Sequence, residues 1–457
     1  MNLLVKDKCF YKKMAVIAIP ISLQSMITIG VNMTDTVMVG KLGETSLSAT
    51  ALANQFVNIY QICCMGIAMG ASVLTSRFWG MQDITSLKKT ITLMLRLCIV
   101  LAVLFMLPTI LIPQLLMRMY TSDSAVIAQG VQYFKWMVYC YFLQGMTMTC
   151  TIVLRSVGQV NFPLFTSIGS FFVNILFNYM FIFGKLGVPR MEVEGAGVGT
   201  LIARVFEFSL ICGYFLFVDR KIGYRLKDLR MKCNSLIKDY VSISIPVFVS
   251  DSLLALGTSA VAMVMGRIGT GFVSANSITV VTQQLTTVII QGICHASCIM
   301  TGHTLGHGER EKAQQQAWTF LILGLVVGIL GGGLIKVLSR PIIGLYNITP
   351  ETAQIAGELM DAIAFIVIFQ SMNSILTKGV LRGGGDTKFL MVADIIFLWA
   401  ASLPLGILAG LVWHLDAFWI YVFLKIDQIC KSIWCVFRLR SGKWIKTFSK
   451  EKMNHAK

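Results

Sequence analysis

Asp35 lies in Val31-Asn32-Met33-Thr34-Asp35-Thr36-Val37, inside a long apolar run. An ionisable side chain is costly in such surroundings and marks a candidate functional site. A carboxylate there can bind a proton or a small cation; it can also cap a neighbouring helix near an interface. Asn32, three residues earlier, shares its helical face, whereas Thr36 is offset by about 100°. Asn174 and Asn178, in Phe171-Phe172-Val173-Asn174-Ile175-Leu176-Phe177-Asn178, put two amides on one helical face. Thr200 opens a span behind the small-residue run Gly195-Ala196-Gly197-Val198-Gly199, which lets helices approach closely. One carboxylate, two amide oxygens and a hydroxyl could form an oxygen cage for a hard cation. The same groups could equally be hydrogen bonds between helices, worth about 0.6–2 kcal/mol each.

Asp251 follows Pro246 by five residues and is the lone charge of its span, a counterpart in kind to Asp35. Gln283, Gln284, Gln370 and Asn373 add polar groups to the same part of the chain. Apolar walls, aromatics, Met and one or two acids suit an amphiphilic cation. The candidate substrate contacts are Asn32, Asn54, Gln55, Asp251, Gln284, Gln370 and Asn373.

Other residues fit plainer roles. His295, Cys298, His303 and His307 match no zinc spacing. Gly383-Gly384-Gly385-Asp386 lacks the strand and the Lys-Ser/Thr of a phosphate loop, so a tight turn is expected. Arg155 and Arg382 are expected to anchor helix ends, and Arg204 with Glu207 to form a local ion pair. Asp427 can pair with Lys431 at i+4, while Asp361 and Asp394 have no evident role. No nucleophile–base pair or nucleotide loop is present, so the chain reads as neither an enzyme nor a primary pump, with no cofactor. A transport function would then draw on an ion gradient.

The elements that must carry these residues are long apolar helices. The 457 residues are 56% hydrophobic and 13% charged, against about 25% charged in soluble proteins. Mean hydropathy is +0.73. Twelve spans can be counted, each long enough to cross a hydrocarbon core of about 30 Å. The chain also repeats itself: Pro20 meets Pro246, and Val39-Gly40-Lys41-Leu42-Gly43 meets Met265-Gly266-Arg267-Ile268-Gly269, at a spacing of 226 residues. Val153-Leu154-Arg155 meets Val380-Leu381-Arg382 one residue later. Six spans per copy predict two parallel six-helix bundles related by a pseudo-two-fold axis. The expected organisation is an amino lobe 1–218, a connector 219–239, a carboxy lobe 240–440 and a basic tail 441–457.

The net charge of +17 is concentrated in the tails and the connector. That bias places both termini in the cytoplasm by the positive-inside rule. It fits contact with anionic lipid better than binding of nucleic acid. The first span is too long for a signal-peptide core, and no cleavage site follows it. The 12 cysteines show no disulfide framework and read as packing residues.

These features together resemble the MATE (multidrug and toxic compound extrusion) family. The resemblance is carried by Asp35, the two glycine-ended spans, Leu52-Ala53-Asn54-Gln55, Phe78-Trp79-Gly80-Met81-Gln82-Asp83 and Val380-Leu381-Arg382-Gly383-Gly384-Gly385-Asp386-Thr387. It runs from about residue 12 to 440. It implies a bacterial inner-membrane antiporter, monomeric, that exports cationic or amphiphilic compounds against inward H⁺ or Na⁺ by alternating access. Asp35 matches the family's helix 1 acid. Asn174, Asn178 and Thr200 match the amino-lobe cation site of the archaeal and DinF-like branch, with Asn178 standing where some relatives have Asp. The carboxy-lobe acids of the NorM-like branch fall on Leu254 and Ser371, while Asp251 resembles an acid of some bacterial members. A lipid-linked-precursor flippase and an exporter of another metabolite are the alternatives the wider architecture allows.

Overall fold

A computed structural model describes residues 4–185, 187–344 and 348–447. Every regular element among them is helical. Helix α1 spans Lys8–Gly40, α2 Glu44–Gly80, α3 Ile84–Leu111, and the short α4 Pro113–Arg118. Helices α5 (Ser124–Ser156), α6 (Asn161–Phe183) and α7 (Glu192–Gly213) follow, α7 running on into a π-helical turn, Tyr214–Val218. A connector with one 3₁₀ turn, Leu226–Arg230, leads to α8 (Asn234–Ile268), α9 (Thr270–Gly306) and α10 (Arg310–Ile343). Helix α11 (Pro350–Ser374) continues as a π-helical stretch, Ile375–Leu381. Helix α12 (Thr387–Asp394) passes through π-helical Ile395–Ser402 and the short α13 (Leu403–Ile407) to a last π turn, Leu408–Val412. Helices α14 (Ala417–Leu424) and α15 (Ile426–Arg440) close the chain.

Eleven of these helical stretches are long and apolar enough to cross a membrane. The twelfth expected span, 416–437, is laid down as two pieces, α14 and α15, that meet at Lys425. Its φ of −120° breaks the helical run just before Asp427 and Lys431. The helix carrying Thr200 starts at Glu192, earlier than expected, so Thr200 lies mid-helix instead of opening the span.

The chain packs as two compact units, each discontinuous in sequence. The amino-side unit comprises 23–75 and 82–244; the carboxy-side unit comprises 1–22, 76–81 and 245–457. The core of the amino-side unit is aromatic. Tyr60 donates from its hydroxyl to the Tyr141 carbonyl at 2.5 Å, and Phe56 and Phe105 pack on the same rings. Small residues set the helix spacing. A Cβ on Gly195 would stand 2.5 Å from the Phe181 carbonyl, and one on Gly199 would stand 2.1 Å from Asn178 Oδ1. The glycine run of α7 therefore brings α6 and α7 into backbone contact. In the carboxy-side unit Gly328 and Gly332 of α10 lie equally close to the α11 backbone at Ile368 and Ala364.

Candidate functional site

A cavity of about 360 Å³ lies within the amino-side unit, walled by α1, α2, α5, α6 and α7. That volume is in the range of sites for small organic molecules. Asp35 lines it, half-buried, five residues before the end of α1. The Asn178 amide donates to Asp35 Oδ1 at 2.6 Å and to Asn174 Oδ1 at 3.3 Å. Both asparagines are buried, one turn apart on α6. Thr200 lines the same cavity from α7. Asp35, Asn174 and Thr200 thus line one space, and Asn178 is tied to two of them by hydrogen bonds.

The arrangement differs from a closed oxygen cage in one respect. Asn178 turns its nitrogen, not its oxygen, toward the carboxylate, and its Oδ1 is buried without a hydrogen-bond partner. A carboxylate held by an amide donor has no salt bridge for protonation to break. A metal cation would need the Asn178 amide turned half a revolution to offer its oxygen.

Asn32 and Asn54 also line the cavity, and Asn54 accepts from the Tyr133 hydroxyl at 3.2 Å. Gln55 is exposed and lies outside the lining. Sequence reasoning did not place Tyr133, Asn58, Gln61 or Gln144 at this cavity. It foresaw the Arg204–Glu207 pair, closed at 2.8 Å, but not that both residues line the same wall. The signal was available: Arg204 stands four residues, one helical turn, after Thr200. Two acids and one guanidinium leave the wall with one excess negative charge.

The remaining candidates lie in the carboxy-side unit. Arg382, expected to anchor a helix end, also has a partner that the spacing did not show. It is buried and holds Asp251 at 3.0 Å. The repeat explains the pairing. At the spacing that superposes Arg155 on Arg382, Asp251 falls on Gln24, and Arg155 donates to Gln24 within the amino-side unit. The amino-side unit thus ties α1 to α5, and the carboxy-side unit ties α8 to the helical end that follows α11, each through an arginine, with an amide acceptor in one and a carboxylate in the other. Gln370 accepts from Gln283 at 2.9 Å, Asn373 donates to Gln428 at 2.7 Å, and Gln284 is exposed.

Among the described residues no group of three or more His, Cys, Asp or Glu is placed to hold a metal ion.

Comparison with known proteins bears on both halves. The family profile described as MatE matches residues 20–180 and 246–429. An uncharacterized transporter, YisQ, of Bacillus subtilis is 24% identical over 419 residues, covering 90% of each chain. A probable multidrug resistance protein NorM of Thermotoga maritima is 23% identical over 438 residues, covering 95% of this chain and 93% of its own. Among solved structures, the Vibrio cholerae MATE transporter VcmN in its bent form superposes with a TM-score of 0.85 at 17% identity, over 96% of this chain and 99% of that one. A MOP-superfamily transporter from Pyrococcus furiosus gives 0.83 at 19% identity, over 95% and 97%. The fold is that of these transporters.

Proposed function

We propose, from the premise that the chain belongs to the MatE family, that this multi-pass membrane protein is a cation-coupled antiporter. It exports cationic or amphiphilic small molecules across the bacterial cytoplasmic membrane, with H⁺ or Na⁺ returning inward. Both termini face the cytoplasm. The lobes 1–218 and 240–440 are the two moving halves, joined by the connector 219–239.

One observation carries this reading: Asp35 lines a drug-sized cavity, is held by the Asn178 amide, and makes no ion pair within 4 Å among the described residues, the Arg204 guanidinium of the same wall being paired with Glu207. Such an acid can exchange its charge state without unmaking a salt bridge. With Asp35 ionised, the wall attracts an organic cation. A proton or Na⁺ on Asp35 cancels that attraction and releases the compound. The ion drives the cycle only by binding one conformation better than the other. Pro20 in α1 and Pro246 in α8 each remove a backbone hydrogen bond inside a spanning helix. These are the repeat-related points at which the helices can bend.

Asn174, Asn178 and Thr200 act with Asp35 and ally the chain with the DinF-like branch. The net acidic wall favours cations over the pyrophosphate of a lipid-linked precursor, which would want an excess of Arg and Lys.

The test is ethidium efflux from proteoliposomes under pH and Na⁺ gradients imposed separately. One gradient should drive efflux in the wild type and neither in Asp35→Asn. Undiminished gradient-driven efflux by Asp35→Asn would overturn the assignment of the coupling residue.

A further inference from the structure

Cys430, Ile433, Phe437 and Arg440 follow one another at steps of three or four residues and share one face of α15. Ile433, Phe437 and Arg440 are exposed, and Cys430 is half-buried. The three apolar members, with Trp434 and with Phe397 of the π-helical stretch after α12, line an open groove of about 460 Å³. All of these residues belong to the carboxy-side unit, and none lines the Asp35 cavity. Trp434 is held edge-on by Phe397, at 4.8 Å between ring centres, and by Phe389 of α12, at 5.9 Å. These ring contacts give the groove a fixed shape.

One end of the groove is basic. Arg438 lies over the Phe389 ring at 4.8 Å. It and Lys446 hold the Asp386 carboxylate at 2.7 and 3.2 Å, so that one acid is already shared by two cations. Lys388, adjacent to Phe389, and Arg440 are both exposed and make no ion pair among the described residues. The start of α10 reaches the same end through Gln314, which donates to the Leu439 carbonyl. Its charges offset one another: Glu309 pairs with Lys312, and Arg310 stands beside Glu311. The charge left over at this end is positive.

The dimensions match one half of a bilayer. Ten residues separate Cys430 from Arg440, a rise of about 15 Å along the helix, against a hydrocarbon core of about 30 Å. Arg440 ends α15, so its guanidinium stands where headgroups lie when the groove is filled by a lipid chain.

We propose that this groove is a binding site for one anionic phospholipid of the cytoplasmic leaflet. An acyl chain lies along Phe397, Cys430, Ile433, Trp434 and Phe437, and Arg440 with Lys388 holds the phosphate. A guanidinium meets phosphate oxygens through two parallel hydrogen bonds, and basic pockets beside spanning helices recruit anionic headgroups. A phospholipid with no net charge would gain the apolar contact but leave the positive surplus unanswered. A second copy of the chain fits worse, because a two-fold contact over this face would set the same cations against each other. The inference rests on reading the chain as membrane-spanning with α15 ending at the cytoplasmic face; it needs no ion coupling.

The experiment is native mass spectrometry of the full chain in micelles, titrated separately with phosphatidylglycerol and phosphatidylcholine. One phosphatidylglycerol should bind about tenfold more tightly than phosphatidylcholine, and Arg440→Gln should weaken it about fivefold. Arg220→Gln, which removes an exposed cation of the connector, should leave binding unchanged. Ile433→Trp, which fills the groove, should weaken both lipids. Glycerophosphoglycerol, the headgroup without chains, should not compete. Equal affinity for the two lipids would overturn the proposal, as would equal losses in Arg440→Gln and Arg220→Gln or full competition by the headgroup alone. A dimer peak that Ile433→Trp abolishes would assign the groove to a second copy instead. Arg440 is exposed, so its variant keeps the test decisive if Ile433→Trp does not fold. Asp35→Asn should bind lipid as the wild type does, so failure of the antiporter reading would show in efflux and leave these affinities untouched.

Discussion

The two units answer the same problem, a carboxylate buried in a helical membrane protein, in different ways. In the amino-side unit Asp35 faces a cavity and is held by an amide. In the carboxy-side unit Asp251 is locked to a buried guanidinium, and Asp394 and Asp427 share one lysine. An acid held by neutral donors can gain or lose a charge at little structural cost. An acid paired one-to-one with arginine cannot, because removing its charge strands the partner. The difference separates an acid that can change its charge without stranding a partner from acids that hold helices together, although all of them look alike as lone acids in apolar segments.

The contrast is sharpest in transport. Asp35→Asn should reduce gradient-driven ethidium efflux to the level of empty liposomes. The charge-neutral double replacement Asp251→Asn with Arg382→Gln should keep it. Efflux lost in both, with both variants folded, would erase the distinction. Next in size is the cost of stranding a charge. Asp251→Ala leaves Arg382 buried and unpaired and should destabilise by about 3–5 kcal/mol, measured as unfolding free energy in mixed micelles. The repeat-related Gln24→Ala should cost less, about 1.5–3 kcal/mol, since it removes a hydrogen bond to a charged group but no charge. Equal losses would mean that the two arginine ties are equivalent.

A third change acts on spacing alone. A methyl group on Gly199 collides with Asn178 Oδ1, so Gly199→Ala should cost about 1–3 kcal/mol and weaken ion-driven efflux. Gly333 of α10 has open space at the corresponding atom, so Gly333→Ala should leave efflux unchanged.

The smallest effect lies outside the membrane spans. Lys88 pairs with Asp228 of the connector at 2.9 Å. Partial burial raises the Asp228 carboxyl, but the hydrogen bonds from Lys88 and the Arg225 backbone, with their charges, outweigh it and hold the group below its usual range. A depressed folded-state value means that the pair stabilises above the unfolded carboxylate range, about 3.9. The contribution fades as pH falls through the lower folded-state value. Lys88→Met should lose about 0.2–1 kcal/mol near neutral pH, and the gap to wild type should close in acid.

Much of this was legible before any coordinates. Asp35 announced itself by its surroundings, and the four-residue spacing of Asn174 and Asn178 required a shared face. The run Gly195–Gly199 required a close neighbour, which proved to be the helix carrying those same asparagines. The match between Arg155 and Arg382 was visible, but their partners were not: Gln24 and Asp251 lie far away in sequence, and nothing local links them. Lys431 was paired correctly with Asp427 from helical spacing, while Asp394, 37 residues earlier, could be joined to it only by packing.

By itself the sequence determined the length and apolarity of the helices, the duplicated plan and which helix faces carry polar groups. These follow from a 3.6-residue period and from the cost of exposing charge to hydrocarbon. Only the tertiary structure decided which acids face a cavity, which face an arginine, and that the last span breaks at Lys425. Those outcomes depend on what each helix meets across its contact, and a side chain's charge has its effect through its neighbours.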